Sequence, residues 1–186
     1  MLVSVVPMKS MDLAKSRLAA VLDPAGRRAL ARQMLDHVLE TLKHAGISPV
    51  RVADGDRDLN TDVAAAARLV EDQGATDLLL VMADLPYLAA EDIAALLDAG
   101  RQSAVVIAEA KDGGTNALLL RPPTALQFAF ATGQPSALRH AELARAAGIE
   151  PAIVRRPGLA RDIDTPADLS SLASDHPAYR VYRHVA

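Results

Sequence analysis

The stretch LLLVMADLPYL, Leu78 to Leu88, decides the fold. Its first five residues, Leu78 to Met82, are apolar without a break, which is typical of a short strand buried on both faces of a parallel sheet. Asp84 follows almost at once, so its carboxylate is predicted at the carboxyl end of that strand. Ligands of open α/β sheets bind at this edge. Asp84 therefore either caps the next turn or holds a hard cation such as Mg²⁺.

Strands and helices alternate along the rest of the chain. Asp23 before Pro24 predicts the start of a long helix, and Gly46 predicts its end. Further strands are predicted at 2–7, 50–53, 104–108, 117–120 and 152–155, and further helices at 61–70, 89–99, 135–147 and 166–173. This alternation predicts a single-domain α/β protein of the Rossmann type, with a mostly parallel central sheet and helices on both faces. We expect the domain to occupy residues 1–174 and the polar tail, residues 175–186, to be loose.

The composition narrows the class of protein. A length of 186 residues fits one compact core, and the absence of cysteine excludes a disulfide scaffold, a thiolate metal site and a cysteine nucleophile. The net charge of -3 gives no overall attraction to nucleic acid or to anionic lipid. No apolar run reaches the roughly 20 residues of a membrane helix. We therefore expect a cytoplasmic protein whose partners are small molecules, with no nucleic-acid and no membrane partner.

The histidines do not form a recognisable zinc or triad motif. The chain has five of them, without the HxxxH or HExxH spacing of zinc enzymes, and no serine lies in a GxSxG elbow. His140 falls within a predicted helix. We expect it at the surface of that helix.

A basic loop follows the first predicted strand, in the string VPMKSMDLAKSRL from Val6 to Leu18. Lys9, Lys15 and Arg17 lie where the sheet edge would face a ligand, and flexible lysines with a forked guanidinium suit a triphosphate. The letters match neither the P-loop nor the dinucleotide motif. A solvated basic loop without a ligand explains the same residues equally well.

Two further carboxylates, Asp162 and Asp164, occur at i and i+2 in GLARDIDTPADL. In an extended segment their side chains point the same way, so the like charges repel. A divalent cation, or Arg161 beside them, would relieve this repulsion. Asp164 could instead be the N-cap of the helix that begins at Pro166. Together with Asp84 the pair predicts a metal site.

Two other segments suit either a ligand or a simple turn. DGGTN, Asp112 to Asn116, has two glycines that could expose main-chain amides to an anion, but a hairpin turn explains them as well. Ser136 follows Gln134 and Pro135 at the start of a predicted helix, where it either caps the helix or donates to a substrate.

Taken in order, VPMKSMDLAKSRL, LLLVMADLPYL, DGGTNALLLRPP and PGLARDIDTPADL resemble the family of 2-phospho-L-lactate and phosphoenolpyruvate guanylyltransferases of coenzyme F-420 biosynthesis. The match spans most of the chain and implies a nucleotidyltransferase-like fold. The resemblance also implies roles for individual residues. Lys9, Lys15 and Arg17 would hold the GTP phosphates, and Asn60, in the Leu59-Asn60 motif, would lie near guanine and ribose. Mg²⁺ would be bound by Asp84, Asp162 and Asp164, which with Lys15 form the catalytic set.

The acceptor pocket implied by the resemblance contains Thr115, Asn116 and Ser136. The acceptor, phosphoenolpyruvate or 2-phospho-L-lactate, would attack the α-phosphorus of GTP through its phosphate oxygen, and pyrophosphate would leave. The partners would thus be GTP and a small phosphorylated carboxylic acid, with a homodimer possible. The alternatives are another nucleotidyltransferase, of the molybdopterin or sugar-phosphate type, or a non-catalytic nucleotide-binding module. The former typically opens with a glycine-rich loop that this chain lacks.

The chain departs from the family at two places. Between Gly46 and Asn60 it is short of a strand and a helix, as if Val50 and Arg51 were joined across a missing piece. This is either a deletion, which would leave fewer residues on the side that binds the base, or a disordered stretch over which the numbering runs without a break. ATGQPS, at 131–136, replaces a more glycine-rich loop that begins with phenylalanine, so acceptor specificity could differ.

Overall fold

The structure, a computed structural model, describes residues 1–9, 15–55 and 57–184. Its strands are Leu2–Lys9 (β1), Val50–Gly55 (β2), Asp77–Val81 (β3), Val105–Glu109 (β4), Thr115–Leu120 (β5) and Ala152–Val154 (β6). Its α-helices are Pro24–His44 (α1), Leu59–Asp72 (α2), Ala90–Ala99 (α3), Ser136–Ala146 (α4) and Pro166–Asp175 (α5). Short 3-10 helices occupy Ser16–Leu18, Pro157–Leu159 and Pro177–His184. None of the described helices combines the length and the apolar character that a bilayer span requires.

The strands form one mixed sheet in the order β2-β1-β3-β5-β4-β6. β1 pairs in parallel with β2 and β3, and β4 pairs in parallel with β6, whereas β5 runs antiparallel to both of its neighbours. The prediction of a mostly parallel sheet is confirmed. Because β5 is reversed, its first residues, Thr115 and Asn116, lie at the sheet edge where β3 ends. Val81 at the end of β3 pairs with Ala117.

β3 is buried on both faces, as its unbroken apolar run predicts. Leu78 and Leu80 pack into a cluster that includes buried residues of α2 and α4. Leu79 and Val81 point the other way, into a cluster that includes α1 and α3. Helices on both sides of the sheet are thereby confirmed, and Asp84 follows a strand that is held from both faces.

β2 runs through the junction at which the sequence is short relative to the family. Val50 and Arg51 pair with consecutive residues of β1, namely Ser4 and Val5. The ladder between β1 and β2 is therefore regular at this point.

The expectation of a loose tail is wrong. Pro177–His184 forms a 3-10 helix, in which Tyr179 and Tyr182 lie on one side because three residues complete a turn. Both tyrosines are buried in a cluster with Leu18 and Leu30. The polar composition of the tail did not predict the burial of these two tyrosines, because their packing partners lie far away in the sequence.

Replacing Tyr179 with alanine should lower the free energy of unfolding by about 3 kcal/mol, because truncating a buried aromatic side chain leaves a cavity. Urea denaturation would measure the change. Val181, 71% exposed in the same 3-10 helix, provides the control. Val181→Ala should change the free energy by less than about 0.5 kcal/mol. Equal effects of the two substitutions would show that the tail does not pack.

Candidate active site

Three carboxylates meet at the carboxyl end of β3. Asp84 comes from the loop after that strand, and Asp162 and Asp164 come from the segment before α5. Carboxylate oxygens from the three side chains lie within 4.8 Å of one another. Thr165 is the N-cap of α5, since its hydroxyl accepts a hydrogen bond from the Asp168 N–H. The alternative that Asp164 caps this helix is therefore wrong, and its carboxylate faces the other acids.

Lys15 reaches into this group of acids. Its Nζ lies 2.6 Å from Asp84 Oδ2 and 3.1 Å from Asp164 Oδ1, and the side chain is only 8% exposed. Burial by itself would lower the pKa of Lys15, but the two carboxylates outweigh this effect and raise that pKa. Lys15 is therefore a charged ammonium that links the segment before the 3-10 helix Ser16–Leu18 to both acid-bearing segments. Its φ of 54° places it in the left-handed region, just before the 3-10 helix Ser16–Leu18.

The carboxyl of Asp162 has a strongly raised pKa. Burial, followed by the like charge of Asp84, raises its pKa to about 6. Such a crowded set of oxygen donors has the chemistry that a hard divalent cation prefers. We conclude that the three residues fit a metal ion, whose charge would relieve the repulsion among them.

A cavity of about 320 Å³ opens beside these residues. Lys15, Arg17, Asp84 and Asp164 form its charged side, and Met34, Leu59 and Met82 are among its apolar lining residues. Arg17 is 74% exposed, and its Nη1 donates to Asp164 Oδ2 at 3.2 Å. The cavity thus combines an apolar wall with cations and carboxylates, which suits a ligand that has a flat base at one end and phosphates at the other.

Thr115, Ser136 and His140 form a second polar group, buried between β5 and α4. Thr115 Oγ1 lies 3.0 Å from His140 Nδ1 and 3.1 Å from Ser136 Oγ. The Ala129 N–H donates to His140 Nε2 at 2.9 Å. Burial lowers the pKa of His140 to about 4, so the imidazole is neutral near pH 7.

Comparison with known proteins decides the family. Residues 2–178 match the family described as guanylyl transferase CofC like. The chain belongs to this family. It is 38% identical over 202 aligned positions to the phosphoenolpyruvate guanylyltransferase of Rubrobacter xylanophilus, covering 97% of this chain and 98% of that protein. It is also 38% identical to the 2-phospho-L-lactate guanylyltransferase of Halorubrum lacusprofundi, covering 90% of this chain and 82% of that protein.

Solved structures support the fold at low sequence identity. The chain resembles CMP:2-keto-3-deoxy-manno-octonic acid synthetase complexed with CTP, with a TM-score of 0.59 and 16% identity over 98% of both chains. It also resembles 2-C-methyl-D-erythritol 4-phosphate cytidylyltransferase from Thermus thermophilus, with a TM-score of 0.54 and 20% identity over 98% of this chain and all of that one. The predicted nucleotidyltransferase-like fold of this CofC-like chain is confirmed.

The structure separates the three residues that the sequence assigns to an acceptor pocket. The side chains of Thr115 and Ser136 are in contact. The alternative that Ser136 caps α4 is wrong, because Pro135 occupies the N-cap position of this helix. Asn116 is the next residue along β5 and points to the opposite face of the sheet. Its side-chain amide donates to the Leu159 carbonyl at 3.0 Å, and its main-chain carbonyl accepts from the Met82 N–H at 3.0 Å. Asn116 therefore ties the strand before Asp84 to the segment before Asp162.

The side chain of Asn60 is engaged with the main chain of Phe130. Asn60 Nδ2 donates to the Phe130 carbonyl at 3.0 Å, and Asn60 Oδ1 accepts from the Phe130 N–H at 2.7 Å. The neighbouring Leu59 lines the cavity. Contact of Asn60 with guanine or ribose stays a prediction, as does the phosphate contact of Lys9, whose side chain lies outside the described part of the structure.

The expectation that His140 lies at the surface is wrong. His140 belongs to the buried stripe of α4, with Ala137 one turn before it and Ala144 one turn after it. The spacing of these alanines was the available signal, because i, i+3 and i+7 positions share one helix face.

Replacing Asn116 with alanine should weaken Mn²⁺ binding by roughly 10-fold, because the segment before Asp162 loses its link to β5. Isothermal titration calorimetry would measure the affinity. Ser103→Ala is the control, since it also removes hydrogen bonds from a hydroxyl to main-chain carbonyls, those of Val105 and Glu150. Ser103→Ala should leave Mn²⁺ affinity unchanged, and equal affinities for all three proteins would contradict the assigned role of Asn116.

Protonation of His140 should destabilise the fold in acid. The pKa of His140 falls from the usual 6.5 to about 4 on folding, so its contribution is complete above pH 6.5 and is lost as the pH falls towards 4. The loss should approach roughly 3 kcal/mol. It would be measured as the difference between wild type and His140→Gln in the pH dependence of the unfolding free energy. Taking this difference cancels the opposing effect of Asp162, which is present in both proteins. His44→Gln, at the exposed end of α1, should keep the wild-type profile. An identical profile for His140→Gln would contradict the prediction.

Proposed function

We propose that this chain transfers GMP from GTP to a small phosphorylated carboxylic acid, phosphoenolpyruvate or 2-phospho-L-lactate, and releases pyrophosphate. The observation that carries this proposal is the buried Lys15 ammonium among three carboxylates, at the mouth of a cavity in a chain of the guanylyl transferase family. The names of the relatives support both acceptors. The reaction would belong to coenzyme F-420 biosynthesis in the cytoplasm, where GTP is made, and a homodimer stays a prediction.

Charge is the main obstacle to the reaction, because both substrates are anions. The proposed phosphate contacts come from Lys9, Lys15 and Arg17. Arg17 is well exposed and can turn its guanidinium towards a phosphate with little rearrangement. Lys15 is already at the edge of the cavity and offsets part of the charge of Asp84 and Asp164 until a nucleotide is present. When phosphates arrive, the same ammonium can contact them from beside the acids.

Asp84, Asp162 and Asp164 would hold Mg²⁺, for which their oxygen atoms are suitable ligands. When bound, Mg²⁺ supplies charge neutralisation for the phosphates and orients them. The protein keeps the carboxylates in place through β3, through the contacts of Asn116 and through the Thr165 cap of α5.

The chemical step requires no covalent enzyme intermediate. A phosphate oxygen of the acceptor forms a bond to the α-phosphorus of GTP, and the bond from that phosphorus to the bridging oxygen of pyrophosphate breaks. The attacking phosphate is already largely deprotonated at neutral pH, because the second pKa of a phosphate monoester is about 6. A side-chain base is therefore unnecessary, and alignment with charge stabilisation supplies most of the catalysis. Thr115 and Ser136 would contact the acceptor.

The direct test is to incubate the protein with GTP, Mg²⁺ and each acid, to follow pyrophosphate release, and to identify the product by mass spectrometry. The proposal predicts a guanylylated acid, and ATP or CTP should be poor donors. Release of pyrophosphate without a guanylylated form of either acid among the products would contradict the proposal.

Asp84→Asn should lower the rate of GMP transfer by about 100-fold or more, because one charged oxygen ligand is lost while the shape is kept. Steady-state kinetics at saturating GTP would show the loss. Asp98→Asn is the matched control, since Asp98 is an exposed acid of α3 that pairs with Arg101 three residues later. Wild-type turnover by Asp84→Asn would exclude Asp84 from the catalytic site and so contradict the proposed mechanism.

A further inference from the structure

His140 is buried completely, yet it is not in contact with the acids that the proposed reaction uses. Its two ring nitrogens have different partners. Nε2 receives the Ala129 N–H, and Nδ1 faces the hydroxyl of Thr115. The Phe130 ring packs edge-on against the imidazole, with 4.8 Å between ring centroids. The imidazole is thus fixed in position by the main chain and by packing.

The Ala129 N–H determines the tautomer of this imidazole. A main-chain N–H can only donate, so His140 Nε2 must offer its lone pair and carry no hydrogen. Burial lowers the pKa of His140 and keeps the ring neutral, so its single N–H is on Nδ1. His140 Nδ1 therefore donates to Thr115 Oγ1 across the 3.0 Å contact.

The hydrogens of Thr115, Ser136 and His140 can then be counted. The Nδ1–H and the two hydroxyls supply three hydrogens, and the contacts of 3.0 and 3.1 Å within the group use two of them. One hydroxyl hydrogen remains and must point away from the group. With the opposite tautomer, both hydroxyls would donate within the group and none would remain. The fixed ring thus makes the hydroxyl pair a hydrogen-bond donor, which suits an anion.

The hydroxyl pair lies at the same edge of the sheet as the carboxylate cluster. Thr115 begins β5 directly after the turn at 112–114, and the Gly113 carbonyl in that turn accepts from the Ala137 N–H at 3.1 Å. Asp112, in the same turn, is close enough to Asp162 to contribute to its raised pKa. The turn therefore joins the hydroxyl pair, the start of α4 and the carboxylate cluster at one edge of the sheet.

We propose that His140 is a positioning residue that holds the Thr115 and Ser136 hydroxyls as a donor for an anionic group, carboxylate or phosphate, of the acceptor substrate. The inference rests on the proposed function for the identity of that substrate. It assigns His140 an effect on acceptor binding that a purely structural residue of α4 would not have.

The kinetic test compares two substitutions of His140. His140→Leu keeps the bulk but removes both hydrogen bonds, and should raise the KM for phosphoenolpyruvate or 2-phospho-L-lactate by about 10-fold or more. The KM for GTP should change less than about 2-fold, since the proposed contacts to the GTP phosphates come from other residues. His140→Gln has an adjacent acceptor and donor and should recover most of the acceptor affinity. His37→Leu is the control and should leave the acceptor KM unchanged, because His37 lies in α1 and contacts the Leu88 carbonyl.

Several outcomes would overturn the inference. A folded His140→Leu variant with wild-type acceptor KM, or an equal rise in the KM for GTP, would show a structural role only. Should His140→Leu not fold, Thr115→Val provides the same test, because it removes the hydroxyl and keeps the shape. An unchanged acceptor KM for Thr115→Val would likewise exclude the role.

The tautomer is tested without any turnover. Long-range ¹H–¹⁵N NMR should show the His140 hydrogen on Nδ1 at pH 7, and an Nε2–H form would overturn the inference whatever the kinetics show. If wild type transfers GMP to neither acid, the proposed function fails by itself. The NMR result then decides alone whether the hydroxyl pair presents a donor.

Discussion

The ion pairs of Lys15 with Asp84 and Asp164 are the interaction on which the rest of the site depends. They join three segments that are distant in sequence, namely Lys15 with the 3-10 helix that follows it, the end of β3 and the segment before α5. Without the ammonium, three carboxylates at this spacing would repel one another. Two of these segments are also held in place by packing, because β3 is buried on both faces and Leu18, three residues after Lys15, packs in the cluster of the C-terminal tyrosines.

The same interaction explains how one site can serve with and without substrates. A partly buried cluster of acids is stabilised by a nearby cation, and Lys15 provides one when no nucleotide is bound. A divalent cation brought in with GTP would satisfy the carboxylates and leave the ammonium to the phosphates. Lys15 and the metal ion would therefore compete for Asp84 and Asp164 in the free protein, yet act together on the substrate.

Sequence reasoning succeeded where a local pattern has a single physical cause. An apolar run followed by Asp84 indicates a doubly buried strand that ends at the ligand edge, and this needs no knowledge of distant residues. Contacts between residues that are far apart in the sequence could not be predicted from local patterns. The link from Thr115 to His140, the pairing of Asn60 with Phe130 and the burial of Tyr179 each depend on how separate elements pack. The cap of α5 was ambiguous because Asp164 and Thr165 are both good N-cap residues, and only the geometry shows that Thr165 caps the helix.

The most direct measurement of the central claim compares wild type with Lys15→Met in two assays, Mn²⁺ affinity in the absence of nucleotide and the rate of GMP transfer to each acid. If Lys15 occupies the carboxylates until GTP arrives and then stabilises the phosphates, the substitution should tighten Mn²⁺ binding and slow transfer by about 100-fold or more. Lys43→Met, at the exposed end of α1, should change neither quantity. Transfer at the wild-type rate by Lys15→Met, or weaker Mn²⁺ binding, would contradict this account.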